Sequence, residues 1–202
     1  MTNKPKFNNT PNEHVVLIQE STIKRTVLDY WISRAVAVVG VVFSNPFDGG
    51  MQVLTVKRSA EMRDEAGKWG LPCGYLDWNE NGYEGMVREV YEETSLYLPN
   101  YQKYLINNNE KPFTVHDSPN RDARQNVSLI YLSVYDFHNE TVEFPLYIEK
   151  YTDKETAEVK WMPMLDFFGK YEREYEWSFR HNETIREALE FFNRNFERVK
   201  PK

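Results

Sequence analysis

Between Tyr83 and Thr94 a short stretch of chain carries two faces at once. Residues at Tyr83, Met86, Val87, Val90 and Thr94 recur at spacings of three and four, which place them along one stripe of a helix. Glu89, Glu92 and Glu93 share that spacing but lie roughly 130° around the helix, at about 100° per residue. Like charges one turn apart repel, by roughly a few tenths of a kcal/mol per pair. A hard divalent cation relieves that repulsion, because carboxylate oxygens are the donors Mg²⁺ and Mn²⁺ prefer. An acidic helical face is otherwise simply solvated, so its surroundings decide between the two readings.

Those surroundings are specific. Gly74 opens the stretch, Glu80 follows six residues later, and Arg88-Glu89-Val90 leads into Glu92-Glu93 and Leu96. The pattern resembles the signature of the Nudix hydrolases, G-x5-E-x7-R-E-U-x-E-E-x-G-U, where U is a bulky aliphatic residue. One position departs, with Ser95 standing where the family has its final Gly. A Gly there would let the chain turn through positive φ after the helix, so Ser95 either costs about 1 kcal/mol or the helix ends differently. It bears on the turn and on no ligand.

The rest of the chain reads as mixed strands with one helix in the middle and one at the end. His14–Gln19 and Lys24–Trp31 are expected as short strands pairing in a hairpin, after an Asn-, Pro- and Lys-rich tail over 1–13. Ala35–Phe43 is an apolar, β-branched run, the pattern of a buried strand. The turn residues from Asn45 to Gly50 and a returning strand over Met51–Lys57 follow. Further strands are expected at Lys103–Ile106, Pro112–Val115, Asn126–Phe137 and Ala157–Met162. Asn182 is expected to cap a last helix striped by Ile185, Ala188, Leu189 and Phe192. The long polar loop from His116 to Gln125 is the place to look for substrate specificity. These elements predict an α/β protein. The resemblance makes it a Nudix-type α/β/α sandwich, a mixed sheet between helices, with residues 35–202 as the hydrolase domain. By the same analogy the strands of 14–34 would serve dimerisation.

The 202 residues carry a formal net charge of −6, which argues against a broad nucleic-acid-binding face. The single cysteine, Cys73, excludes an internal disulfide. With no apolar run of membrane length and no signal-like segment, the expected setting is cytoplasmic. The expected partner is a small nucleotide, with no membrane and no stable nucleic-acid partner.

The resemblance implies cleavage of a diphosphate linkage with Mg²⁺ (or Mn²⁺) as cofactor. On that reading Glu89, Glu92 and Glu93 ligate the metal, joined by the backbone carbonyl at Gly74. Arg88 orients Glu80 or a signature carboxylate. The base that activates water is left open among Glu89, Glu93 and a loop carboxylate ahead of the late strand, where Glu155 and Glu158 stand; Glu158 matches the usual entry to that strand. Arg58, Trp69 and Arg124 are the substrate-binding candidates, and Trp31, Trp78 and Tyr75 are further stacking candidates that are equally at home in a core. Pro112, sixteen residues past Leu96, matches ADP-ribose pyrophosphatases and favours ADP-ribose or a nucleotide sugar. Nucleoside triphosphates, dinucleoside polyphosphates, RNA 5′ ends and a non-catalytic ligand sensor are the alternatives.

Overall fold

The computed structural model describes residues 13–20, 25–45, 50–107, 110–121, 124–137 and 155–196. The expected tail lies outside the described residues up to position 12, as does most of the turn after Asn45. The chain divides into two units, Met1–Ala35 and Val36–Lys202. In the first, β1 (Glu13–Glu20) pairs antiparallel with β2 (Arg25–Ile32), Leu17 opposite Leu28. The hairpin is the one expected from the sequence; the side chain of Trp31 is not among those described.

The second unit is built on a seven-stranded mixed sheet. β3 (Val36–Asn45) runs parallel to β8 (Val127–Asp136) over its whole length, from Val36 opposite Val127 to Asn45 opposite Asp136. β7 (Thr114–His116) flanks β8 on its outer side. On the other side β3 forks. Its far end pairs with β4 (Gln52–Arg58) at Phe43 and Ser44, while its near end pairs with β6 (Cys73–Tyr75), Val38 opposite Gly74. Along its whole length β4 pairs with β9 (Thr156–Pro163), with a bulge at Lys57/Arg58, and past β3 it takes up the two-residue β5 (Trp69–Gly70). This fork opens the sheet where the signature begins.

Alternation along β3 supplies both cores. Val39, Val41 and Phe43 face a cluster with Ile130, Leu132, Met162, Phe167, Ile185 and Ala188. Val38 and Val42 face another with Met86, Val90, Leu96, Tyr131 and Tyr135. Each fully buried aliphatic side chain contributes roughly 1.5–3 kcal/mol of apolar transfer. Helix α1 (Gly82–Thr94) covers the second face so closely that a Cβ on Gly40 would lie 2.8 Å from Val90 Cγ2. Helix α2 (His181–Phe196) supplies Ile185 and Ala188 to the first. The layers are α/β/α, as expected.

Two elements differ from expectation. Lys103–Ile106 is not a strand: Leu98–Tyr104 winds as a 3₁₀ helix with Pro99 in its first turn, and Leu105 makes only an isolated bridge to Tyr135. Asn107 then ties down the exit, its side chain donating to Leu132 O and accepting from Val134 N. Asn182 does not cap the last helix, because a 3₁₀ turn at Ser178–Arg180 feeds directly into it and leaves Asn182 inside the first helical turn. No helix among the described residues is long and apolar enough to cross a membrane.

Candidate active site

Helix α1 starts at a capping box. Asn81 Oδ1 accepts from the Tyr83 and Glu84 amides, and Glu84 accepts from the Asn81 amide. Its end resolves the question of Ser95, which takes the left-handed conformation (φ 59°) while its N–H donates to Tyr91 O at 2.7 Å. The helix terminates as a glycine would terminate it, with the Cβ strain retained.

Between these ends Arg88 gathers the acidic residues. It makes a fork on Glu80, with Nε at 3.0 Å and a terminal nitrogen at 2.7 Å, and donates to Tyr75 O. Its other terminal nitrogen donates to Glu89 at 2.7 Å and Glu92 at 2.9 Å. Charge-assisted bonds of this kind are about twice as strong as neutral ones. The hydrogen bond from Arg88 draws Glu80 below the usual carboxylate range, against its partial burial. Glu89 goes the other way: burial raises its pKa despite Arg88, and the charges of Glu92 and Glu155 add to the rise.

The glycine of the signature has a steric purpose here, since a Cβ on Gly74 would fall on the Glu89 carboxylate. Glu93 is buried behind this group, accepting from the Cys73 amide at 3.2 Å. Burial also pushes the Cys73 thiol upward, with the Glu93 charge adding to the effect, so it is a packed side chain and no nucleophile.

These groups face a cavity of about 380 Å³ set in the fork of the sheet. Its lining has two parts: Glu89, Glu92 and Gly74 come from the signature segment, whereas Arg58, Arg121, Arg124, Phe179 and His181 come from elsewhere in the chain, as does Glu155, whose carbonyl accepts the Ser59 N–H. Arg58 is 91% buried, at 9% relative exposure. Its Nε donates to Asp64 O at 3.2 Å and its guanidinium lies 5.2 Å from the Phe179 ring centre. Among the described residues its two terminal nitrogens have no hydrogen-bond acceptor. Arg124 packs on the same ring at 5.4 Å, donates to the Tyr75 hydroxyl and pairs with Asp64.

Not every expected site residue reaches this cavity. Trp69 is a core residue stacked on Tyr175 at 5.4 Å, and Trp78 is 95% exposed. Glu158, opposite Lys57 in the β4–β9 register, is exposed and outside the cavity lining, whereas Glu155 lines it. Glu93 is also outside the cavity lining, bonded to the Cys73 amide. Phe179, His181 and Arg121 carry no motif in the sequence, and the only signal for Arg121 is its place in the polar loop before β8. Among the described residues no set of three or more His, Cys, Asp or Glu is drawn together in ligating geometry; Arg88 instead bonds one oxygen of Glu89 and one of Glu92.

The fold and this cavity define an α/β protein that sets clustered helix carboxylates against a buried cation. The family model that matches is the NUDIX domain, over residues 33–187, and the chain belongs to that family: it is a Nudix hydrolase. Among solved structures it is similar to the NUDIX domain of Shewanella oneidensis NrtR complexed with ADP ribose, at 22% identity and a TM-score of 0.56, covering 79% of this chain and 89% of that one. A mutT/nudix family protein from Listeria innocua gives 22% identity and 0.56, covering 82% and 98%. The bifunctional NMN adenylyltransferase/ADP ribose pyrophosphatase of Francisella tularensis, complexed with AMP and a Mn ion, gives 22% and 0.57, covering 79% of this chain but only 42% of that one. At these identities the likeness is one of fold. No curated protein matches the chain.

Proposed function

We propose that this cavity hydrolyses the diphosphate linkage of a nucleoside diphosphate joined to a group X, with ADP-ribose or a nucleotide sugar as the substrate class and a divalent cation as cofactor. The observation that carries the reading is Arg58. An otherwise buried arginine that opens two unpartnered terminal nitrogens to the cavity offers an anion a charge-assisted, two-pronged site, and no carboxylate among the described residues pairs with it. A diphosphate supplies that anion and also needs its own charge neutralised from the carboxylate side.

The residues present fit a hard divalent ion. The donors are all oxygens, Glu89 is a largely buried carboxylate whose pKa is raised by burial and further by the charges of Glu92 and Glu155, and the missing side chain at Gly74 lets that carboxylate lie against the backbone. Glu89 and Glu92, with Glu93 and the Gly74 carbonyl, would hold Mg²⁺ or Mn²⁺. Such an ion, when bound, neutralises phosphate charge and acidifies coordinated water. Arg88 keeps Glu89 and Glu92 aligned and anchors them to Glu80. Glu155, on the cavity wall, is better placed than Glu158 to accept the proton from water. ADP-ribose is favoured by Pro112 and by its presence in the Shewanella neighbour. The β1–β2 hairpin is proposed as a dimerisation element, since a two-stranded sheet is marginal by itself.

The test is nucleotide release from ADP-ribose, ADP-sugars, deoxynucleoside triphosphates and dinucleoside polyphosphates, with Mg²⁺, with Mn²⁺ and with chelator. Metal-dependent cleavage of ADP-ribose or an ADP-sugar in preference to the others is expected. Tight binding of one of them without turnover would overturn the hydrolytic reading in favour of a sensor.

A further inference from the structure

The turn that leads into α2 is strained. Phe179 (φ 50°) and Arg180 (φ 59°) are consecutive non-glycine residues in the left-handed region. Such residues are sparse and cluster where the surroundings over-determine them for a purpose. Here both flanks are pinned. Ser178 Oγ donates to Trp69 O at 3.1 Å, and Trp177 makes a parallel bridge to Trp69. On the other flank His181 Nδ1 accepts the Leu71 N–H at 2.9 Å. The turn docks there because residue 70 has no side chain: a Cβ on Gly70 would overlap Ser178 Oγ and lie 2.9 Å from His181 Nδ1.

That last hydrogen bond fixes the chemistry of the imidazole. A nitrogen that accepts a backbone N–H carries no proton, so the neutral ring holds its proton on Nε2. His181 is 96% buried, at 4% relative exposure, and lines the cavity. Nε2 has no hydrogen-bond partner among the described residues and keeps some exposure to solvent. The structure therefore holds a neutral N–H donor in the cavity wall with nothing to donate to.

Its neighbours indicate what it meets. Arg121 donates to Thr184 Oγ1 at 3.2 Å, and His116 bonds Glu187 at 2.6 Å, so both are engaged. The wall here is polar, with Ser128 and Asn126 also lining it, and the Phe179 ring meets the imidazole edge-on, ring centres 5.7 Å apart. That ring already carries the guanidinium groups of Arg58 and Arg124 over it, at 5.2 and 5.4 Å, so it is not a free stacking surface. A purine needs such a surface, whereas a hydroxylated sugar needs short polar groups.

We propose that the Ser178–His181 turn is a substrate-reading element in which His181 Nε2–H donates to a hydroxyl or carbonyl oxygen of the group X. This rests on the nucleoside diphosphate-X reading above and makes His181 a specificity-determining residue outside the signature. A donor that a given X leaves unpaired disfavours that X, as buried polar groups do in general.

The test uses ADP-ribose and ADP, which lacks X, on the full chain and on His181→Phe and His181→Gln. Binding is measured by calorimetry, and the imidazole is followed by NMR of isotope-labelled histidine. The expected result is an Nε2–H signal that ADP-ribose moves and ADP does not. His181→Phe should weaken ADP-ribose about tenfold and leave ADP unchanged, with His181→Gln, which can both accept and donate, recovering most of the loss. Equal losses for both ligands, or no shift of the imidazole signal on ADP-ribose binding, would overturn the inference. Binding that engages His181 without any hydrolysis would keep this inference and remove the hydrolase reading. Hydrolysis indifferent to His181 would do the reverse. A chain that binds neither ligand overturns both.

Discussion

The two walls of the cavity are built in different ways. The carboxylate wall comes from one continuous segment, Gly74–Leu96, in which a strand, a capped turn and a helix follow one another. Its geometry is set by helical spacing and by one arginine that bonds Glu80, Glu89 and Glu92. The cationic wall is assembled from β4, the loop before β8 and the turn into α2, and converges through long-range contacts such as His181 to Leu71. A reaction shared by a family can be carried on a local motif. A preference for one substrate can be carried on side chains that only the fold brings together.

The largest expected effect tests the local wall. Replacing Glu89 by Gln should lower kcat about a thousandfold, with little change in KM, because several kcal/mol of charge stabilisation is removed. Steady-state assay on ADP-ribose checks it, and a wild-type kcat in the variant would break the comparison. Arg88→Lys comes next. A lysine cannot reproduce the fork on Glu80 while also bridging Glu89 and Glu92, so activity should fall about ten- to a hundredfold with the fold intact by circular dichroism.

The difference between the walls also explains what could be read from the sequence. The helix, its stripe, its carboxylates and Arg88 were legible because periodicity and spacing are local. So were β3 and β8, whose apolar and β-branched runs fit a buried pair. The fork of the sheet was not legible, since it depends on where β4 leaves β3. Glu158 reads as well as Glu155 in the sequence, and only the register with Lys57 turns it away from the cavity. Trp69 looked like a clamp, but its stacking partner is Tyr175 in the core. His181 carries no local signal, and its orientation depends on a bond to a residue 110 positions away.

Two smaller effects sharpen the contrast. Burial, with the charges of Arg58, Arg121 and His116, pushes His181 down from 6.5 to about 3. Between those values the unfolded chain binds a proton that the native chain refuses. Stability is therefore complete above about pH 6.5 and falls as the pH drops, by up to about 1.4 kcal/mol per pH unit. Urea unfolding at about pH 7 and about pH 5 should show that this loss is reduced in His181→Gln. On the carboxylate side, Ser95→Gly should remove the left-handed strain at the helix end and stabilise by up to about 1 kcal/mol, read as a rise in the urea midpoint with activity unchanged.

The separation of the two walls is tested most directly by comparing kcat and KM in Glu92→Gln and Arg58→Gln on ADP-ribose with saturating Mg²⁺. The account predicts that the Glu92 substitution lowers kcat by orders of magnitude at similar KM, while the Arg58 substitution raises KM about tenfold or more with the smaller share of its effect in kcat. A Glu92→Gln enzyme that turns over normally, or an Arg58→Gln enzyme whose KM is unchanged, would contradict it.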